Sequence, residues 1–426
     1  MTARAPAIAL AMLTVVYAFN FIDRQILVIL QEMIKADMGL SDAQLGLLSG
    51  FSFALIYVSA GIPIAYWADR GNRKNIVALS LAVWSAMTAV SGMAQNFTHL
   101  LLARIGVGLG EAGGSPPAHS LISDYYPPER RGTAMSVYSA GLYLGILLGY
   151  VIGGMVADAV GWRVTFFLLG VPGVVFAAVL ALVVKEPPRG RWEVAEVNAY
   201  QPSLRDTLRL LASYRSFVFL ALGTAVLNFG GYGTGNFAAS LYLRIHGLSL
   251  TEVGLLLALA GGLSGMIGTF LGGYIGDRLA VRDKRWYIWV PMWGALLNTP
   301  ASLLYYLTDN TALAIGSQFV ATAIYSTFLG PCLAISHTLV HPAMRAFTSA
   351  VLFFTLNLIG LGLGPLATGL LSDALAARYG IDSLRYAMVV VSLVGTSSAL
   401  LFYIASRYLP GDLARGAAVE SAPSPP

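Results

Sequence analysis

Runs of twenty or more mostly apolar residues recur along nearly the whole chain, parted by short charged segments. Their approximate limits are 8–31, 43–67, 75–95, 98–120, 132–157, 163–184, 216–243, 251–276, 286–308, 311–338, 346–372 and 384–407. A helix needs about 20 such residues to cross a bilayer, and only helices or closed barrels satisfy their backbone there. With 57% hydrophobic and 11% charged residues, the expectation is an all-α polytopic membrane protein of twelve spans. The first run is too long for a signal-peptide core and reads as a retained anchor.

Charge placement orients the spans. If Arg4 lies inside and each span crosses once, nineteen of the 26 Lys/Arg fall on the inner side. Five fall outside (Lys35, Arg163, Arg244, Arg378 and Arg385), and two, Arg24 and Arg104, sit within spans. The positive-inside bias therefore puts both termini in the cytoplasm. Short loops and the lack of a soluble appendage suggest a bacterial inner membrane. Cys332 stands alone, so no intrachain disulfide forms, and Asn96-Phe97-Thr98 lies too close to the membrane to read as a glycosylation site.

The longest connection, about 185–215, divides the chain into six spans and six. The expected units are a six-helix bundle over 1–184, a cytoplasmic linker over 185–215, a second bundle over 216–408 and a disordered cytoplasmic tail over 409–426. Within the linker, Leu204, Leu208 and Leu211 share a helical face beside Arg205 and Arg209. That face suits either an interfacial amphipathic helix or a solvated one. The halves echo each other. "AYWADRGNRK" after the second span matches "GGYIGDRLAVRDKR" after the eighth, with Asp69 and Asp277 208 residues apart. "GGMVAD" ending at Asp158 matches "TGLLSD" ending at Asp373, 215 residues apart. Two echoes at nearly one offset point to a repeated six-helix unit, the build of many transporters. Glycines at spacing four (141, 145, 149 and 153; 106, 110 and 114; 268, 272 and 276) form stripes for close packing or for helix movement.

Four charges lie inside spans: Asp23 and Arg24 in "NFIDRQ", Arg104 and Glu111 in "LLARIGVGLGEAGG". Ionisable groups at that depth are costly and usually mark an ion or substrate path. Arg104 and Glu111, seven apart, share a face about 10 Å along the axis; Tyr17, Asn20 and Arg24 form a polar stripe. Desolvation favours a neutral acid and a nearby arginine an ionised one, so such an acid can exchange a proton near neutral pH. Arginine suits a phosphate, whose oxygens its fork can bond in pairs. Asp23 and Glu111 are thus the proton-coupling candidates, and Arg24, Arg104, Asn20 and Tyr17 the substrate-binding ones. A fixed salt-bridge network pinning the first and fourth spans is the competing reading. Asn228, Tyr232 and Asn236 in the glycine-broken seventh span, with Asn298 and Asn357, are candidate cavity-lining groups. His337 and His341 have no third ligand beside them, so no metal site is expected.

Other classes fall away. Gly108-Leu-Gly110-Glu-Ala-Gly113 has the dinucleotide fingerprint letters, yet it lies in an apolar span without a preceding strand. None of the four lysines follows a glycine, which removes a phosphate loop, and neither HExxH nor G-x-S-x-G occurs. No enzyme, no nucleic-acid partner and no cofactor is expected; protons are the expected coupling ion, and a monomer in the lipid bilayer the expected state.

The loops "ADRGNRK" and "GDRLAVRDKR" and the span "RIGVGLGEA" resemble the signature motifs of the major facilitator superfamily. That resemblance implies twelve helices in two halves, with the Asp-Arg loops as a cytoplasmic gate. Asp69, Arg70, Arg73, Asp277 and Arg278 would then lock the outward-open form. "NFIDRQ" and "RIGVGLGEAGGSPPAHSLISDYYPPERRG" further resemble the spinster family, whose animal members carry lysophospholipids and sphingosine-1-phosphate. By that similarity, Asp23, Arg24, Arg104 and Glu111 match the family's buried charges. The superfamily's antiporter motif departs here, with Tyr150 where proline is expected after Gly149, while Gly364-Pro365 occurs in the eleventh span. The resemblance implies alternating-access, proton-coupled transport of an amphipathic anionic lipid. A proton-coupled carrier of a sugar, organic acid or drug-like solute is the alternative, and a lipid mover without ion coupling another.

Overall fold

Apolar runs of this length have one way to satisfy their backbone inside a bilayer, and the chain takes it throughout. The computed structural model describes residues 5–192, 203–341 and 344–420. Arg4, the linker stretch 193–202 and the last residues 421–426 lie outside the described residues, as does the Asp69 side chain. Among the described residues there are helices and no strands. Every expected span is present, several as two or three pieces. The first is Ala5–Met38, the third Arg73–Ser91 and the ninth Trp286–Leu307. The fourth is Phe97–Glu111 followed by Ser115–Tyr125, and the seventh Arg215–Gly235 followed by Ala238–Ile245. The fifth and sixth share Pro128–Val183, broken at Gly161, whose φ of 81° belongs to the left-handed region that glycine tolerates. The tenth is Thr311–Tyr325 with Leu329–Thr338, and the twelfth Ser383–Thr396 with Ser398–Glu420.

Three spans carry π-helical turns: the second at Leu47–Phe51, the eighth at Ala258–Ser264 and the eleventh at Leu356–Leu363. A π turn inserts one residue into a helix and concentrates at functional positions. All three lie on the seams between the halves, where the second span meets the eleventh and the fifth meets the eighth.

The glycine stripes settle as packing within each half. A Cβ on Gly110 would stand 2.6 Å from the Trp84 backbone nitrogen, and one on Gly141 2.5 Å from the Thr14 carbonyl. The fourth span thereby lies on the third, the fifth on the first, and Gly268 and Gly272 seat the eighth on the tenth. Glycines at the seams, among them Gly46 and Gly369 on one and Gly154 and Gly254 on the other, bring the two halves into backbone contact.

The apolar core comes in three parts. One, holding Ile34, Leu45, Tyr242, Leu250 and Leu384, is shared by both halves at the end remote from the termini. The others lie toward the termini and belong to one half each, around Leu13, Trp84 and Leu180 with Leu361 added, and around Phe217, Phe402 and Leu409. The halves are therefore fused at the distal end and separate at the terminal end.

Two expectations about the polar segments are corrected. The tail does not lose structure at residue 409: the last helix continues, Leu409 and Asp412 are buried, and Asp412 accepts from the Ser216 amide at 2.8 Å. That carboxylate sits at the N-terminus of the seventh span, where free amides and the helix dipole favour an anion. In the linker helix Leu204–Ser213, Leu211 is 2% exposed and docks on the protein, while Leu204 is 63% exposed. The outward apolar face is thus narrower than the three-leucine stripe. Overpacking of a core costs ~1–3 kcal/mol, so Gly110→Val is expected to lower the detergent melting temperature, and Gly316→Val, whose Cβ meets open space, to leave it unchanged.

Candidate functional site

The first and fourth spans meet at their charges. Arg24 Nε donates to Glu111 Oε2 at 2.8 Å, with Glu111 wholly buried and the arginine 19% exposed. Glu111 closes the helix Phe97–Glu111 just before the glycines that break the fourth span, and Asn20 lies beside it one turn before Arg24. Asp23 and Arg104 are also buried, and Asp23 faces Arg104, Glu111 and Thr88. Neither oxygen of Asp23 has a hydrogen bond, nor do Arg104 Nε and Nη1 or Glu111 Oε1. The four charges form one cluster, which their spacing alone could not establish.

Aromatic rings surround the guanidinium of Arg24: Phe53 at 4.8 Å, Tyr57 at 5.1 Å and Phe21 at 5.2 Å from ring centroid to Cζ. The same Phe53 ring stands 5.9 Å from Arg104. Such contacts are worth ~0.5–2 kcal/mol and hold the cation without neutralising it. Phe53 and Tyr57 were not legible as site residues, because aromatics in an apolar span are ordinary. Their spacing of four on the second span, opposite the charged fourth span, is the signal available.

A cavity of about 400 Å³ lies between the halves. Arg24 and Arg104 line it from the N-terminal half; Asn228, Tyr232, Asn236 and Asn298 line it from the other. Asp23, Glu111 and Asn20 are not among its lining residues, so the carboxylates stand behind the arginines. Tyr17 does not line it either. It stacks on Tyr138 at 4.5 Å, which takes it out of the substrate-facing stripe. Asn357 turns its amide back to the Phe353 carbonyl. His337 pairs with Ser349 at 2.6 Å, and among the described residues no cluster of three metal-ligand side chains occurs.

The distal end is latched across both seams in the same way. Asp373, ending the eleventh span's echo, accepts from the Asp42 and Ala43 amides at 3.0 and 2.8 Å, the N-terminus of the second span. Asp158, its counterpart, accepts from the Thr251 amide and hydroxyl at 3.2 and 2.7 Å, the N-terminus of the eighth. Arg244 adds a bridge from the C-terminal half to Glu32 and Asp42, both at 2.6 Å. The echo had exposed both aspartates without their role. The signal for it is a capping box that opens both receiving helices, Ser41 with Gln44 and Ser249 with Glu252, again 208 residues apart.

The signature loops, by contrast, tie each half to itself. Arg73 is buried, pairing with Asp124 and, at 2.7 Å, with Glu186. Asp277 accepts from Tyr287, Arg278 donates to Tyr274, and Arg70 lies over Tyr66. Replacing a charged acceptor of two backbone amides removes about 1.5–3 kcal/mol. Asp373→Asn is therefore expected to shift the distal seam toward opening by roughly tenfold or more, read as longer electron–electron distances between spin labels across that end.

The matched sequences and structures agree with this geometry. The Major Facilitator Superfamily model matches residues 13–365. An MFS-type efflux pump of Mycolicibacterium smegmatis is 33% identical over 399 residues, 93% of this chain and 92% of that protein. A probable L-galactonate transporter of Escherichia coli is 27% identical, over 92% of this chain and 88% of that one. The crystal structure of a bacterial homolog of the human lysosomal transporter spinster, inward-facing and unoccupied, superposes with a TM-score of 0.88. It is 32% identical and covers 97% of this chain and 99% of that one. Two six-span halves closed at one end over a charged cavity, with these matches, identify the chain as a member of the major facilitator superfamily of membrane transporters, of spinster-like type.

Proposed function

We propose that this transporter carries an amphipathic organic anion, of lysophospholipid or sphingosine-phosphate type, by alternating access coupled to protons. One observation carries the reading: two cavity-lining arginines stand in front of two buried carboxylates that reach no solvent-facing surface of the site. Arg24 is held by Glu111. A proton on Glu111 neutralises that partner, and Arg24 is then free to take an anionic head group in its bidentate fork. Arg104, with two unpaired nitrogens, supplies a second anchor, and Asp23 a second proton site beside it. Protonation thus favours anion binding, and affinity falls as pH rises. Apolar residues of the same cavity, such as Val28, Leu142, Ile146 and Leu257, give an acyl chain its surface.

In this reading the distal latch opens in the alternate state, and the loops bearing Asp69, Arg70, Arg73, Asp277 and Arg278 close the terminal end. The positive-inside bias supports a cytoplasmic terminal end and an inward-facing form, in a bacterial inner membrane. The resemblance to an L-galactonate transporter supports a second reading, a proton-coupled carrier of sugar acids through the same arginines.

Transport into proteoliposomes, with a lysophospholipid and sphingosine-1-phosphate panel and with or without a pH gradient, separates these readings. Gradient-stimulated lipid movement is expected, and its loss in Asp23→Asn or Glu111→Gln. Arg24→Gln is expected to weaken anion binding about 10- to 150-fold, the value of one hydrogen bond to a charged group. Unchanged pH dependence in both carboxamide variants overturns the proton mechanism. Galactonate uptake without lipid movement replaces the lipid by a sugar acid.

A further inference from the structure

The two walls of the cavity differ in kind. Among the described residues that line it, the charged groups belong to the N-terminal half, and the polar groups of the C-terminal half are amides and hydroxyls. Several of these are engaged within the C-terminal half. Tyr325 donates to Asn228 Oδ1 at 2.7 Å, Asn228 Nδ2 donates to the Thr224 carbonyl at 2.7 Å, and Gln318 accepts from Tyr242 at 2.8 Å. Two amides are not. Asn236 Nδ2 and Asn298 Oδ1, on side chains that line the cavity, are enclosed without a hydrogen bond, as is the Tyr305 hydroxyl.

Their placement is built, not incidental. Asn236 is 9% exposed and caps the helix Arg215–Gly235, while its carbonyl accepts from Gln31 of the opposite half at 2.8 Å. Asn298 sits on the ninth span between two helix-interior prolines, Pro291 and Pro300. A buried polar group left without a partner is destabilising, so each calls for a reason, among them a water, an ion or a ligand that completes it. One amide offers a donor and the other an acceptor. A hydroxyl, donor and acceptor at once, can answer either amide.

We propose that the C-terminal wall is a second subsite, in which Asn236 and Asn298 read hydroxyl groups on the carbon framework of the anion held by Arg24 and Arg104. The substrate class is then a hydroxylated organic anion. This inference rests on the anion reading above, and it gives that reading selectivity: the arginines require the charge and the amides require the hydroxyl. Two sources supply the same chemistry, the glycerol hydroxyl of a lysolipid and the hydroxyls of a sugar acid. A site built to bond a hydroxyl discriminates against the analogue that lacks it, because its own polar groups are then stranded.

Matched ligand pairs test this by calorimetry on the full-length purified protein. One pair is 1-oleoyl-lysophosphatidate and its 2-deoxy counterpart; the other is galactonate and hexanoate. The hydroxylated member of one pair is expected to bind about tenfold more tightly, and whichever pair binds names the source. In Asn236→Leu and Asn298→Leu that preference is expected to fall toward one, with the affinity of the deoxy member unchanged. Equal binding within the pairs by the unmodified protein overturns the subsite and leaves the anion reading standing. So does a full preference retained in both variants. Binding of neither pair overturns both.

Discussion

A charge at membrane depth is among the most expensive things a membrane protein can hold, and four of them organise this one. Insertion scales put an arginine or aspartate at the bilayer centre at about 2.5–3.5 kcal/mol each. Removing one member of a buried pair costs about 3–5 kcal/mol. Arg24 and Glu111 answer that cost with one hydrogen-bonded pair and a ring of aromatics. Asp23 and Arg104 answer it less completely, since both keep unpaired atoms. The first, second, third and fourth spans must stand where they do for Asp23, Phe53, Thr88 and Glu111 to converge. The glycine contacts that set the fourth span against Trp84 are part of that requirement.

Around this fixed cluster, the fold separates what is rigid from what can switch. Within each half, close glycine packing and single-half cores leave little freedom. Between halves, the shared distal core is bounded by an aspartate on the amides of the opposing helix, repeated by pseudo-symmetry, and by the Arg244 bridge to Glu32 and Asp42. Charge-assisted caps of this type form and break with small displacements, unlike an interdigitated apolar face. The π turns on the same seams supply slack in the helices that must bend. This division suits a two-state rocking of one half on the other, the motion of the proposed transport cycle.

Much of this was written plainly in the chain. Helical spans have an obligatory length, so all twelve could be located, and internal repetition revealed the two halves. The four buried charges were conspicuous because hydrocarbon makes them costly. What stayed hidden depends on azimuth and on the partner half. Tyr17 has the same helical stripe as Arg24, yet a neighbouring Tyr138 captures it. The direction of the latch was unreadable because an aspartate at a helix end caps whatever amide meets it. From 409 to Glu420 the last helix continues, because one buried carboxylate, Asp412, meets the Ser216 amide, a partner at the other end of that half that the sequence does not mark. Phe53 and Tyr57 remained silent because their chemistry is indistinguishable from ordinary lipid-facing aromatics.

The central claim is that a proton and an anion share the arginine–carboxylate cluster, the proton releasing the arginine that the anion takes. Titration calorimetry with one anionic ligand in two buffers of different ionisation enthalpy counts the protons that accompany binding. The account predicts uptake approaching one proton per ligand at a pH where the acids are ionised in the free protein, and none in Glu111→Gln carrying Asp23→Asn. Tight anion binding with no proton taken up at any pH between about 5 and 8 would contradict it, and would leave the cluster a fixed salt bridge beside the true coupling site.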